Sequence, residues 1–123
     1  MTRFFLVTGA VSAFVAVALG AFGAHGLRAR VAPEMLAVFE TGARYHMYHA
    51  LALVGVAWAT SRGLGGAAIV AGWFFLAGTV LFSGSLYVMT LTGQRWLGAI
   101  TPFGGACFLA GWAALAVAGW RAA

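Results

Sequence analysis

Residues 4–24, FFLVTGAVSAFVAVALGAFGA, carry no charged side chain. A helix needs about 20 apolar residues to cross roughly 30 Å of hydrocarbon, so this stretch is long enough to span a membrane. Arg3 and the segment Ala21-Phe22-Gly23 resemble the positive start and the small-residue cleavage site of a signal peptide. However, the apolar stretch is longer than the 7 to 15 residues typical of a signal peptide. The stretch therefore predicts a retained membrane span.

Three further apolar stretches follow along the chain. The second begins at Pro33, a residue favoured in the first turn of a helix, and nothing interrupts a helix from there to Ser61. Hydrophobic residues make up 63% of the chain, charged residues 7%, and the mean hydropathy is +0.98. Such a composition is typical of an integral membrane protein. We predict an all-α, four-helix membrane bundle in a single domain, 1–123, with spans at about 4–24, 45–61, 67–91 and 97–120.

Four spans define two ends of the molecule, which we name side A and side B. Side A holds both termini and the turn at Arg62, and side B holds the segment from His25 to about Arg44 and the turn at 92–96. We expect the segment between the first two spans to lie at the membrane interface. The arginines divide almost equally between the two sides, so the positive-inside rule does not orient the chain.

The fourth span contains Pro102, followed by Gly104 and Gly105. A proline inside a helix removes one backbone hydrogen bond, which predicts a kink. Small residues four positions apart, such as Ala68 and Gly72, are typical of membrane helices that pack closely.

Polar side chains concentrate in the side-B half of the chain. His46 and His49 are three residues apart, so they share one face of the second helix. Glu40 and Arg44 lie on the other side of that helix, at a spacing that allows an ion pair. The candidate polar cluster comprises His25, Glu40, Arg44, His46, His49, Ser83, Ser85, Tyr87 and Thr101.

His49 is expected to be the deepest histidine, beside Ser83, Ser85 or Thr101. Neutral imidazoles are ligands for copper, zinc and haem, but no cysteine lies near the histidines, and only His25 is placed on another helix to complete a pair. We therefore expect no metal ligands and no cofactor, and interpret the cluster as groups that hydrogen-bond across helices.

Two other chemical interpretations of the cluster are weaker. A proton or ion pathway usually contains an ionisable group deep in a span, yet both carboxylates, Glu34 and Glu40, lie near the interface. A hydrolytic set of serine and histidine needs a third group to orient the histidine, and Glu40 lies on the wrong face. We expect no catalytic residues and no enzyme activity.

The isoelectric point near 10.8 does not indicate a nucleic-acid partner. All seven basic residues are arginines, and they are scattered along the chain like interfacial anchors. We expect membrane lipid as one partner, and another membrane protein or further copies of the chain as the second.

Six segments of the chain together resemble a known family. They are GAFGAHGL at 20–27, FETG at 39–42, ARYHMYHALAL at 43–53, FSGSLY at 82–87, LTG at 91–93 and ITPFGG at 100–105. In their order and spacing they look like the small bacterial membrane proteins of domain-of-unknown-function family 423, to which eukaryotic transmembrane protein 256 is similar. The resemblance implies four helices and a multi-pass location in the bacterial inner membrane, and no established activity.

The sequence thus favours a non-catalytic accessory, assembly or stabilising protein for a larger membrane complex. The alternative is an oligomeric small carrier or channel, or a metal- or haem-binding membrane protein that uses the side-B histidines.

Overall fold

The computed structural model describes residues 1–122, and within them the chain is helical, without strands. Four long helices follow one another: α1 is Thr2–Leu27, α2 is Pro33–Ser61, α3 is Gly66–Thr92 and α4 is Arg95–Arg121. The last turn of α1, Gly23–Leu27, and a middle turn of α3, Thr79–Ser83, are π-helical. The sequence predicted each helix; α2 has the predicted limits, and the structure extends the other three by one to three residues at each end.

The helices run antiparallel in sequence order, so α1 packs on α2 and α3 packs on α4. The hydroxyls of Thr2 and Thr60 are 2.8 Å apart and share a hydrogen bond at side A. At side B, the Arg95 guanidinium donates to a carboxylate oxygen of Glu34 over 3.1 Å. Both ends of the described chain therefore lie at side A of the molecule.

One apolar core joins the four helices. Phe5, Leu53, Phe75 and Phe108, one from each helix, are buried together. The absence of a side chain at Gly72 leaves room for the Phe5 ring, because a Cβ at residue 72 would lie 2.4 Å from that ring. The small residues thus allow bulky rings to fill the centre, as the spacing of small residues predicted.

Pro102 lies in the first turn of the α-helical part of α4 and not inside that helix, contrary to the prediction. The first turn of α4, Arg95–Ala99, is a 3-10 turn, and the α-helical part, Thr101–Arg121, begins just before the proline. In the first turn of a helix the missing N–H of proline has no intrahelical partner to lose. The apolar residues before Thr101 made the helix look continuous in the sequence.

The segment between α1 and α2 is short. Only residues 28–32 lie outside helices, and α2 is continuous from Pro33, so its first turns do not bend away along a surface. Pro33 begins the helix as predicted.

Within the described chain, α1, α3 and α4 are long and apolar enough to cross a membrane. The α2 helix does not reach the same hydropathy, because it carries Glu40, Arg44, His46 and His49. The four-span prediction is therefore supported directly for three helices.

Candidate functional site

His46 links three helices through both of its ring nitrogens. Its Nδ1 lies 2.9 Å from the Tyr87 hydroxyl on α3, and its Nε2 lies 2.9 Å from the Ser12 hydroxyl on α1. Each hydroxyl can donate or accept, so either neutral tautomer of the imidazole is satisfied. The ring is 7% exposed. His46 therefore acts as a hydrogen-bonding bridge in the centre of the bundle.

His49 makes a second bridge, to α4. Its Nδ1–H donates to the backbone carbonyl of Tyr45 over 2.7 Å, and its Nε2 accepts from the indole N–H of Trp112 over 3.1 Å. These two contacts require the neutral Nδ1–H tautomer, because an imidazolium has no acceptor nitrogen. The ring also stacks on Phe108, with centroids 3.5 Å apart and planes 5° apart.

His49 makes no hydrogen bond to any of its predicted neighbours, Ser83, Ser85 and Thr101. Neither Ser83 nor Ser85 bonds to it: the Ser83 hydroxyl donates to the Gly42 carbonyl over 2.7 Å, and the hydroxyls of Ser85 and Thr101 pair with each other at 2.6 Å. The spacing of residues within one helix indicates which of them share a face, but it does not set the register against the next helix.

The structure divides the predicted polar cluster into separate groups. Six of its members lie inside the bundle, in four separately bonded groups: His46 with Tyr87, His49, Ser83, and Ser85 with Thr101. His25, Glu40 and Arg44 are exposed and do not join them.

The ion pair that the spacing of Glu40 and Arg44 allows does not form. The only salt bridge among residues 1–122 joins Arg95 to Glu34, and both of those side chains are 70% exposed. An exposed pair of this kind contributes little to stability.

Every buried side-chain nitrogen and oxygen in the described part of the chain has a hydrogen-bond partner. The same residues contain no group of three His, Cys, Asp or Glu side chains close enough to hold a metal ion. Since the nitrogens of His46 and His49 are already bonded, a ligand would have to displace an existing bond to reach either ring.

A groove of about 750 Å³ opens on the outer surface between α2 and α4. Its lining is mainly apolar and consists of Tyr45, Tyr48, His49, Phe82, Pro102, Gly105, Ala106, Phe108, Leu109 and Trp112. His49 is only 3% exposed at its base. The groove suits an acyl chain or an apolar side chain, and offers no free imidazole nitrogen.

Sequence reasoning missed two partners of the histidines, Ser12 and Trp112. Ser12 lies near the middle of α1, outside the set of residues from which the sequence predicted the polar cluster. The bond to Trp112 could have been predicted from the sequence, because an indole N–H in the middle of an apolar span needs an acceptor and few acceptors are available there.

Comparison with known proteins places these residues in a family. The model described as "Protein of unknown function (DUF423)" matches residues 19–105. The UPF0382 membrane protein YwdK of Bacillus subtilis is 49% identical over 117 residues, covering 94% of this chain and 95% of that protein.

Two further relatives have similar coverage. A UPF0382 membrane protein of Staphylococcus aureus is 44% identical over 119 residues, covering 94% of each chain. The UPF0382 inner membrane protein YgdD of Escherichia coli K12 is 43% identical over 116 residues, covering 94% of this chain and 88% of that protein. No solved structure matches the chain significantly. The resemblance found in the sequence is confirmed: the chain is a multi-pass membrane protein and belongs to the DUF423 family.

Proposed function

We propose that this protein is a non-catalytic accessory component that assembles or stabilises a larger complex in the bacterial inner membrane. In this proposal α2 also crosses the membrane, so that four spans place both termini on one side. The inner-membrane location is supported by the name of the Escherichia coli relative, an inner membrane protein.

The observation that carries the proposal is the complete use of buried polar groups inside the bundle. Each buried histidine, serine and threonine bonds to another helix or to its own backbone, and no buried side-chain donor or acceptor in residues 1–122 is left over. Catalysis and transport both need polar groups that a substrate or an ion can reach. A core whose polar groups are all paired fixes the helices relative to each other, as a rigid scaffold requires.

The proposal is tested by purification from the native membrane. The protein carries an affinity tag at a terminus and is expressed from its own promoter. It is extracted in a mild detergent after brief chemical crosslinking, and co-purifying proteins are quantified. We expect a second membrane protein in stoichiometric amount.

The matched control is the same tagged chain with Gly104→Ala, which should disturb the bundle because a Cβ there would lie 2.3 Å from the Phe82 backbone nitrogen. Loss of the partner from this variant, at equal expression, would show that recognition needs the intact bundle. Recovery of the chain alone, with bound metal or haem or with an ion flux after reconstitution, would contradict the accessory role.

A further inference from the structure

One face of α2 is exposed along almost its whole length. We name this face the α2 stripe; its members are Ala37, Glu40, Arg44, Tyr48, Leu51, Gly55 and Trp58, and all are exposed. They are spaced three or four residues apart, so they form a continuous line down one side of the helix. No other helix of the described chain covers this line.

This inference rests on the four-span arrangement proposed above, in which the charged part of the stripe lies at a depth where lipid is a poor neighbour. Glu34 marks side B and Thr60 marks side A, and at 1.5 Å per residue they are about 39 Å apart along α2. A hydrocarbon layer of roughly 30 Å centred on this length begins about 5 Å inside Glu34. The backbone of Arg44, about 15 Å from Glu34, then lies about 10 Å inside the layer. Ionisable residues within spans nearly always face protein or a water-filled cavity.

Neither charge of the stripe is neutralised within the chain. Glu40 and Arg44 have no salt-bridge or side-chain hydrogen-bond partner among residues 1–122, although they are one helical turn apart.

The stripe also contains Gly55, where an added Cβ would meet nothing within 4 Å. By contrast, Gly9 faces the same length of α2 from α1 and is in tight contact with it. Gly55 therefore has no packing partner in its own chain.

We propose that the α2 stripe binds the α2 stripe of a second copy of this protein. Copies inserted the same way are related by a two-fold axis along the membrane normal, so equal residue numbers lie at equal depth. Glu40 and Arg44 are separated by about 6 Å along the helix axis, which an arginine side chain can reach. Arg44 of each copy thus pairs with Glu40 of the other, and the stripe carries both halves of the interaction.

The rest of the stripe fits this arrangement. Gly55 and Ala37 let the two helices approach closely, as small residues do between membrane helices. Leu51 lies between them and meets its own symmetry mate. The dimer goes beyond the proposed accessory role, because it forms whether or not another protein is present.

Disulfide crosslinking between copies tests the dimer. Cys107 is first replaced by Ala, and Leu51→Cys is introduced into that background. Val11→Cys is the matched control, because Val11 is 57% exposed and Leu51 is 59% exposed, and both lie at a similar depth on different helices. Membranes of expressing cells are oxidised with copper phenanthroline, and crosslinked products are identified by mass spectrometry.

We expect the Leu51→Cys variant to give a product of twice the monomer mass that contains only this chain, at about ten times the yield of the control, as an association stronger by about 1.4 kcal/mol would produce. Equal yields from the two variants would overturn the proposal. A product that joins this chain to a different protein would also overturn it, while supporting the accessory role; the accessory role itself is tested separately by co-purification.

Charge reversal tests the ion pairs. In the Leu51→Cys background, Glu40→Arg or Arg44→Glu alone should lower the crosslinked fraction about tenfold, and the double reversal should restore it. Glu40→Gln, which removes one charge without adding another, serves where a reversal variant fails to accumulate in the membrane. Crosslinking that is insensitive to all of these changes would overturn the proposed pairing.

Discussion

His49 shows at the scale of one residue how the core polar groups stabilise the bundle. Its Nε2 is the acceptor for the indole N–H of Trp112, and its Nδ1–H bonds to the Tyr45 carbonyl. Replacing His49 by Leu should lower the free energy of unfolding by about 1–3 kcal/mol, since the indole N–H of Trp112 then has no acceptor within an apolar span. His49→Gln keeps a donor and an acceptor and should be milder. Unfolding of the purified protein in mixed micelles, titrated with SDS and followed by circular dichroism, measures both.

Trp112→Phe provides the control for this prediction. It removes the donor, so the double variant with His49→Leu should be more stable than the sum of the two single losses implies. Additive losses would show that the His49–Trp112 bond contributes nothing. A His49→Leu protein of unchanged stability that has lost a bound cofactor or an ion flux would contradict the structural role.

At the same scale, helix periodicity predicted that His46 and His49 share a buried face, and both are buried. It did not predict their partners. Those partners come from other helices, and which residue of one helix meets which residue of the next depends on packing of the whole core. The four-residue spacing of Glu40 and Arg44 allows an ion pair, yet the two side chains do not form one in the structure.

At the scale of the helices, the closest backbone approach between α3 and α4 requires the glycine at residue 104. A Cβ at Gly104 would lie 2.3 Å from the backbone nitrogen of Phe82, whereas a Cβ at the adjacent Gly105 would meet nothing within 4 Å. Backbone cannot rotate away as a side chain can, so Gly104→Ala should force the helices apart and lower the free energy of unfolding by about 1–3 kcal/mol.

Gly105→Ala is the matched control, because it makes the same chemical change one residue along. It should leave stability unchanged or raise it by up to about 1 kcal/mol, since alanine favours a helix over glycine. The same SDS titration measures both variants. Equal stability of the two would mean that α3 and α4 do not approach each other at Gly104.

The sequence predicted the number and approximate limits of the helices because each apolar stretch is long and bounded by charged or turn residues. It misjudged Pro102, since the apolar residues before the proline hid the start of the α-helix. It also treated α2 as a span like the other three. The structure shows why α2 differs: its polar histidines face the core and are paired there, while Glu40 and Arg44 face outward.

At the scale of the whole molecule, the open question is therefore whether α2 crosses the membrane. Pairing of His46 and His49 lowers the cost of placing them inside, because hydrogen bonds between membrane helices satisfy groups that lipid cannot. We expect α2 to cross, which puts Arg62 on the side opposite both Arg28 and Arg95.

Single cysteines at these three positions, in a Cys107→Ala background, are labelled with a membrane-impermeant maleimide in intact and in opened spheroplasts. In intact spheroplasts either residue 62 alone or residues 28 and 95 alone should react, and in opened spheroplasts all three should react. If residues 28 and 62 react from the same side, α2 does not cross, and the three apolar helices alone span the membrane.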